Sequence, residues 1–180
     1  MRKITNEELH RLSPEEFAEA PKINVEVVLD NIRSLNNVGS FFRTADAFAV
    51  GRLYLCGITA VPPNRDIHKT ALGAENTVTW KYWKSTVECI ASLREQGFTV
   101  LAVEQVEGAV PADKWQLEPT ERYALVFGNE VFGVDQAAVD ACDGAIEIPQ
   151  SGTKHSLNVA VSGGVILWEA YRQLHATLGE

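Results

Sequence analysis

Residues Ile148 to Arg172 read IPQSGTKHSLNVAVSGGVILWEAYR, a Gly- and Ser-rich polar loop that runs into an apolar helix with no spacer. A polar loop with so little slack is expected to hold something. Ile146 to Pro149 reads as the end of a buried strand and Gln150 to His155 as a tight turn. Ser156 or Asn158 then caps the helix, because a short oxygen-bearing side chain accepts a bond from one of the free first-turn N–H groups. Val161, Val165, Ile166, Trp168 and Tyr171 fall on roughly one side of that helix, the side expected to be buried. Gly163 and Gly164 each cost about 1 kcal/mol against Ala in a helix interior, so a close approach to another helix or another chain is the expected compensation.

Upstream, apolar runs alternate with helical spacing. Val25 to Leu29, Arg52 to Cys56, Thr77 to Tyr82, Phe98 to Val103, Tyr123 to Phe127 and Ala145 to Ile148 read as strands. Phe41 to Val50, Thr86 to Gln96 and Asp135 to Cys142 read as helices, the second stopped by Gly97. Asn36 to Ser40 has the composition of a turn, and a Pro-rich connection at Val61-Pro62-Pro63 leads into a polar stretch, Asn64 to Leu72. The long connection from Glu104 to Pro119 is expected to be mobile. Thr5 to Ala20 reads as a short amphipathic lead-in, with Thr5 or Asn6 before Glu7 and a second start at Ser13-Pro14-Glu15-Glu16. Strands that are continuously apolar and separated by helices specify an α/β fold, with a mostly parallel sheet covered on both faces. Ligands in such sheets sit beyond the carboxyl ends of the strands.

A chain of 180 residues, 46% apolar, suffices for one well-packed domain. That domain is expected over 23–180, behind a helical lead-in at 1–22. No apolar run reaches the roughly 18 residues that span a bilayer, and MRKITNEELHRLSPEEF lacks the apolar core of a signal peptide, so a cytoplasmic protein without a membrane partner is expected. Cys56, Cys89 and Cys142 are odd in number and show no ligand spacing, which argues for reduced thiols and against a disulfide framework or a metal site. A formal charge of −8 weakens the case for bulk electrostatic attraction to nucleic acid. Convergence of Arg33, Arg43, Arg52, Arg65, Lys69 and Lys154 would supply a local patch.

Three turns carry more polar groups than a turn needs. They are Asn37-Val38-Gly39 leading to Arg43-Thr44-Ala45, then Gly128-Asn129-Glu130 with Gly133, then Ser156-Leu157-Asn158. None has the GxxxxGK[ST] or GxGxxG spacing of common nucleotide-binding loops. The set NxGxxxRTA at 37–45, FGNExxG at 127–133 and IPxxGxxxSLNVAVS at 148–162 resembles the three ordered motifs of the SpoU (TrmH-like) RNA ribose 2'-O-methyltransferases. KTALGAE at 69–75 is similar to a segment between the first two. The resemblance implies a SPOUT fold with a C-terminal trefoil knot, S-adenosylmethionine as cofactor, a homodimer with sites at the subunit interface, and tRNA or rRNA as substrate. It places Gly128, Ile148 and Leu157 against the cofactor through backbone groups. It places Arg43, Asn37, Glu130, Ser156 and Asn158 at catalytic and RNA-facing positions.

Methyl transfer to a ribose hydroxyl needs nucleophile, carbon and sulfur nearly in line, and the loss of one proton. A guanidinium with a pKa above about 12 is a poor proton acceptor, so Arg43 is read as gripping the phosphate beside the target ribose and stabilising developing alkoxide charge. Glu104, at a strand end, either accepts the cofactor's ribose hydroxyls or is a solvated loop charge. Asn129, Glu130, Ser156 and Asn158 also suit helix caps, and His155 reads as an exposed loop histidine. Two alternatives stay open: a catalytically silent RNA-binding or assembly module that keeps the fold, and a related methyltransferase acting on a base or a small molecule. No RNA-binding extension before Val25 and no long basic tail after Leu174 is expected, which leaves the RNA and the nucleotide unassigned.

Overall fold

The computed structural model describes residues 1–5 and 7–179. Asn6, one of the two lead-in cap candidates, lies outside them. Seven strands form one sheet: β1 Val25–Asp30, β2 Leu53–Cys56, β3 Trp80–Trp83, β4 Phe98–Val103, β5 Val110–Pro111, β6 Arg122–Phe127 and β7 Gly144–Glu147. The order is β3-β2-β1-β6-β4-β7-β5, and every pairing is parallel. The helices are α1 Pro14–Glu19, α2 Leu35–Ala47, α3 Arg65–Ala71, α4 Thr86–Glu95, α5 Gln136–Ala141 and α6 Val159–Leu174. In α1, Ser13 and Glu16 form the reciprocal capping pair that the Ser-Pro-Glu-Glu start implies.

The period-2 geometry of the strands divides the core. Val27, Leu29, Leu55, Leu125 and Phe127 face α2, α3 and α6, while Val28, Tyr54, Cys56, Val100 and Val126 face α4 and α5. Asp30, 1% exposed, ties the second layer to the sheet. Its Oδ1 accepts from Thr86 Oγ1 at 2.5 Å, and its Oδ2 accepts from the backbone N–H of Asp135, the cap of α5, at 2.9 Å. The ends of β1, α4 and α5 therefore meet on one carboxylate. No helix among the described residues is long and apolar enough to cross a membrane.

Four local expectations are corrected. Asn36 to Ser40 is not a turn but the first half of α2, started by Ser34 Oγ accepting from Asn37 N. Gly39 belongs there because α3 crosses so closely that a Cβ would run into the Ile67 carbonyl and Thr70 Oγ1. The polar stretch after Asn64 is α3, capped by Asn64 Oδ1 on Asp66 N. The 104–119 connection is packed: it adds β5 to the sheet edge, buries Trp115 and Leu117, and is held by Gln173 of α6, which bonds Trp115 O and Leu117 N at 2.9 Å each. Finally, α6 buries Gly163, Ile166, Leu167, Ala170 and Leu174, leaving Val161 and Trp168 53% and 52% exposed and Val165 also outward. A helix apolar on two faces has two stripes at i, i+4, i+7 spacing, and spacing alone does not say which meets the core. Gly163 lies against the Phe41 ring, whereas a Cβ on Gly164 would meet nothing within 4 Å.

Candidate active site

Strands β6, β4 and β7 are consecutive in the sheet, so their carboxyl ends open side by side. They floor a cleft of about 510 Å³, with Val103, Phe127 and Ile146 beneath, the 128–133 turn on one side and the 155–158 loop on the other. Glycine is required at 128, where a Cβ would collide with Gly133 and Val134 N. The turn that follows closes on itself through two 2.9 Å backbone bonds between Asn129 and Gly133. Asn129 pins it further: Nδ2 donates to Asn31 O at 2.7 Å, and Oδ1 accepts from Val131 N and Phe132 N. Glu104 lines the cleft, and its Oε2 accepts from Val134 N and its Oε1 from Gln105 N, both at 2.9 Å. Its observed work is to clamp the turn to β4.

The three motifs meet through side chains. Glu130 Oε1 accepts from Ser34 N and from Asn37 Nδ2, and its Oε2 from Arg33 N, all at 2.9 Å. Asn37 Oδ1 in turn accepts from Asn158 Nδ2 at 3.2 Å. Asn158 Oδ1 caps α6 at Ala160 N and Val161 N, so it is Asn158 and not Ser156 that starts the helix. Partial burial opposes the charge on Glu130, but the donors from Arg33, Ser34 and Asn37 outweigh it and hold its pKa below the ordinary 4.5. The carboxylate is thus kept ionised and oriented.

Ile148, Ser156 and Leu157 line the same cleft. Ser156 has no side-chain hydrogen bond among the described residues, which leaves its hydroxyl available. Arg43 is different. It lies six residues after Asn37 on α2, about 240° further round at 100° per residue. It is exposed, does not line the cleft, and makes no hydrogen bond or ion pair among the described residues. The basic residues differ in place: Arg52 precedes β2, at the amino end of the strands and away from the cleft, Lys69 is paired with Asp66 at 2.6 Å, and Arg33 stands beside Glu130, whose Oε2 accepts from its backbone N–H. Among the described residues no cluster of three His, Cys, Asp or Glu side chains is arranged for a metal. Sequence reading missed Gln105, whose Nε2 holds His155 O at 2.9 Å and ties the 155–158 loop to β4. It also missed Val131 and Phe132, whose signal was two large apolar residues in the variable positions of a polar turn.

The pattern of the SpoU rRNA Methylase family matches residues 24–168, all but the lead-in and the last turns of the chain. The chain belongs to this family. One relative, the tRNA (guanosine(18)-2'-O)-methyltransferase of Thermus thermophilus, is 34% identical over 166 residues, covering 92% of this chain and 84% of that one. Among solved structures, the TrmH/SpoU tRNA modifying enzyme of A. aeolicus superposes with a TM-score of 0.79 at 27% identity, over 91% of this chain and 83% of that one. The AdoMet-bound rRNA methyltransferase of Sinorhizobium meliloti gives 0.78 at 28% identity, over 91% of this chain and 62% of that one.

Proposed function

We propose that this SpoU protein transfers a methyl group from S-adenosylmethionine to a ribose 2'-hydroxyl of tRNA or rRNA, as a cytoplasmic homodimer. The observation that carries the reading is the Glu130–Asn37–Asn158 chain, which draws all three motifs to the mouth of one cleft. The named activities of the Thermus and Sinorhizobium relatives support it. The cleft suits the cofactor on its own chemistry. Its volume falls in the range of small-molecule sites. It has an apolar floor, backbone at Gly128, Ile148 and Leu157 able to read an adenine edge, and a glycine whose replacement would fill the wall. Glu104 retains acceptor sites for ribose hydroxyls beyond its two loop bonds, since a carboxylate offers about four. Bound there, S-adenosylmethionine supplies an electrophilic methyl carbon on sulfur.

The protein's groups then position and polarise. Ser156 and Asn158 orient the RNA ribose at the cleft mouth. Glu130 keeps Asn37 and the start of α2 in place. Transfer of that methyl to the 2'-oxygen would release the demethylated cofactor and would require the hydroxyl proton to leave to the adjacent phosphate or solvent. Arg43 faces the developing oxyanion and that phosphate. Because Arg43 points away from its own cleft, it serves the cleft of a second subunit. The outward stripe Val161, Val165, Trp168 on α6, the neighbour of α2, provides the apolar surface for that pairing. A knotted tail fits the topology. β7 lies between β4 and β5, so the 104–109 segment spans its end, and a chain that leaves β7 beneath that span to reach α6 would be threaded.

Incubating the protein with methyl-labelled S-adenosylmethionine and RNA from cells lacking the gene should place the label on a ribose 2'-oxygen. Label on a base, or none, overturns the activity. Mixing inactive R43A and N158A subunits should restore part of the turnover, because one hybrid site then holds both groups. No recovery in a verified heterodimer overturns the shared site.

A further inference from the structure

Phe132 is 84% exposed and its neighbour Val131 65%, more than any other large apolar side chain described after the lead-in except Ile58, which matches Val131. Floppiness does not account for this. The turn that carries them is fastened at Asn129 to Asn31, at Gly133 back to Asn129, at Val134 to Glu104 and at Glu130 to the start of α2. The Phe132 N–H itself bonds Asn129 Oδ1 at 3.3 Å. A rigid mount therefore displays an aromatic ring to solvent on the wall of the cleft where Ser156 and Asn158 also stand.

The charges around it indicate the occupant. The cleft lining includes Glu104, Glu130 and Glu147 and no Lys or Arg, and the whole chain carries −8. The lining of this wall thus offers no cation of its own, and Arg43 of a second subunit, as proposed, grips the phosphate and not the base, so the base has to be held by something other than charge. Base–aromatic stacking is the sequence-tolerant contact that works without cations, because every base presents a π face. We propose that Phe132 is a stacking platform for an unstacked RNA base beside the target ribose, holding the nucleotide so that its 2'-hydroxyl faces the cleft. This rests on the RNA methyltransferase reading above. It assigns Phe132 as a positioning residue that acts on RNA and not on the cofactor.

The test measures methyl incorporation from labelled S-adenosylmethionine into RNA from cells lacking the gene, as a function of RNA concentration, for wild type, F132A, F132L and F132W. Loss of one stacked base should raise the KM for RNA about tenfold in F132A, within the range found for base–aromatic contacts. F132L, which keeps apolar area but has no π face, should resemble F132A, and F132W should stay near wild type. Cofactor affinity by calorimetry and subunit mass by sedimentation should be unchanged, and the loss in F132A should persist at high salt. An unchanged KM in F132A overturns the proposal, as does an F132L variant equal to F132W. A weakened cofactor affinity would assign the ring to the cofactor, and a dissociated dimer to the subunit contact; either also overturns it. Wild-type protein that labels no RNA would overturn the methyltransferase reading itself, an outcome distinct from active protein indifferent to Phe132.

Discussion

Two residues carry separable parts of the chemistry. Arg43 touches nothing in its own cleft, so R43A should leave folding and S-adenosylmethionine affinity intact while turnover falls about 100-fold or more, the usual effect of losing a charge-stabilising donor. R43K separates a forked grip from a point charge: little recovery means that two guanidinium N–H groups act together. Glu130 does the reverse, acting through structure. Removing its carboxylate in E130A leaves Arg33 N, Ser34 N and Asn37 Nδ2 without their acceptor. Two of the three donors are exposed and water replaces part of what they lose, so the cost should be about 1 kcal/mol in a urea titration. Its pH dependence has a definite sign. The folded pKa lies below the ordinary value of 4.5, so the stabilisation is complete above that value and is lost as pH falls through the folded pKa. Wild type should therefore lose stability in that acid window more steeply than E130Q; parallel curves would remove Glu130 from the linkage.

At the scale of elements, α2 is the hub: α3 crosses it at Gly39 and α6 at Gly163. The two adjacent glycines of α6 make opposite predictions. In G163A the new methyl strikes the Phe41 ring, and overpacking of this kind costs about 1–3 kcal/mol, more than the propensity gained. In G164A nothing is met, so the subunit should gain up to about 1 kcal/mol from helix propensity. Thermal unfolding of the pair, run at several protein concentrations, checks both. Equal shifts would mean that α6 does not pack on α2 as described, and a concentration-dependent loss in G164A alone would place Gly164 against a second subunit.

For the whole molecule, a site shared between two subunits, as proposed, would be complete only on assembly. Val161 and Val165 are exposed in the isolated subunit, so V161E/V165E should still fold cooperatively, sediment as a monomer, melt at a temperature independent of protein concentration and lose methyl transfer. A variant that remains dimeric would move the interface elsewhere. Variant dimers that keep full activity would show the stripe to be unimportant. A chain of net charge −8, with Lys69 paired and Arg52 at the amino end of the strands, would gather its proposed affinity for RNA from few cations and from uncharged contacts such as Phe132.

The alternation of apolar runs with helical spacing determined the parallel α/β sheet, because a strand buried on both faces has no alternative to continuous apolar residues. The ordered polar motifs likewise marked Asn37, Gly128, Glu130 and Asn158 as belonging to one site. Local composition could not decide what depended on a distant partner. Asn36 to Ser40 looked like a turn until α3 supplied the crossing that makes Gly39 necessary. The 104–119 connection looked mobile until Gln173 and the sheet edge supplied its bonds. Which stripe of α6 faces inward was decided by where α2 and Phe41 lie, and the rotation of α2 left Arg43 outside the cleft lining while turning Asn37 to Glu130 and Asn158, which do line it. Hydrophobic period is a property of neighbouring residues, whereas burial is a property of what packs across the gap.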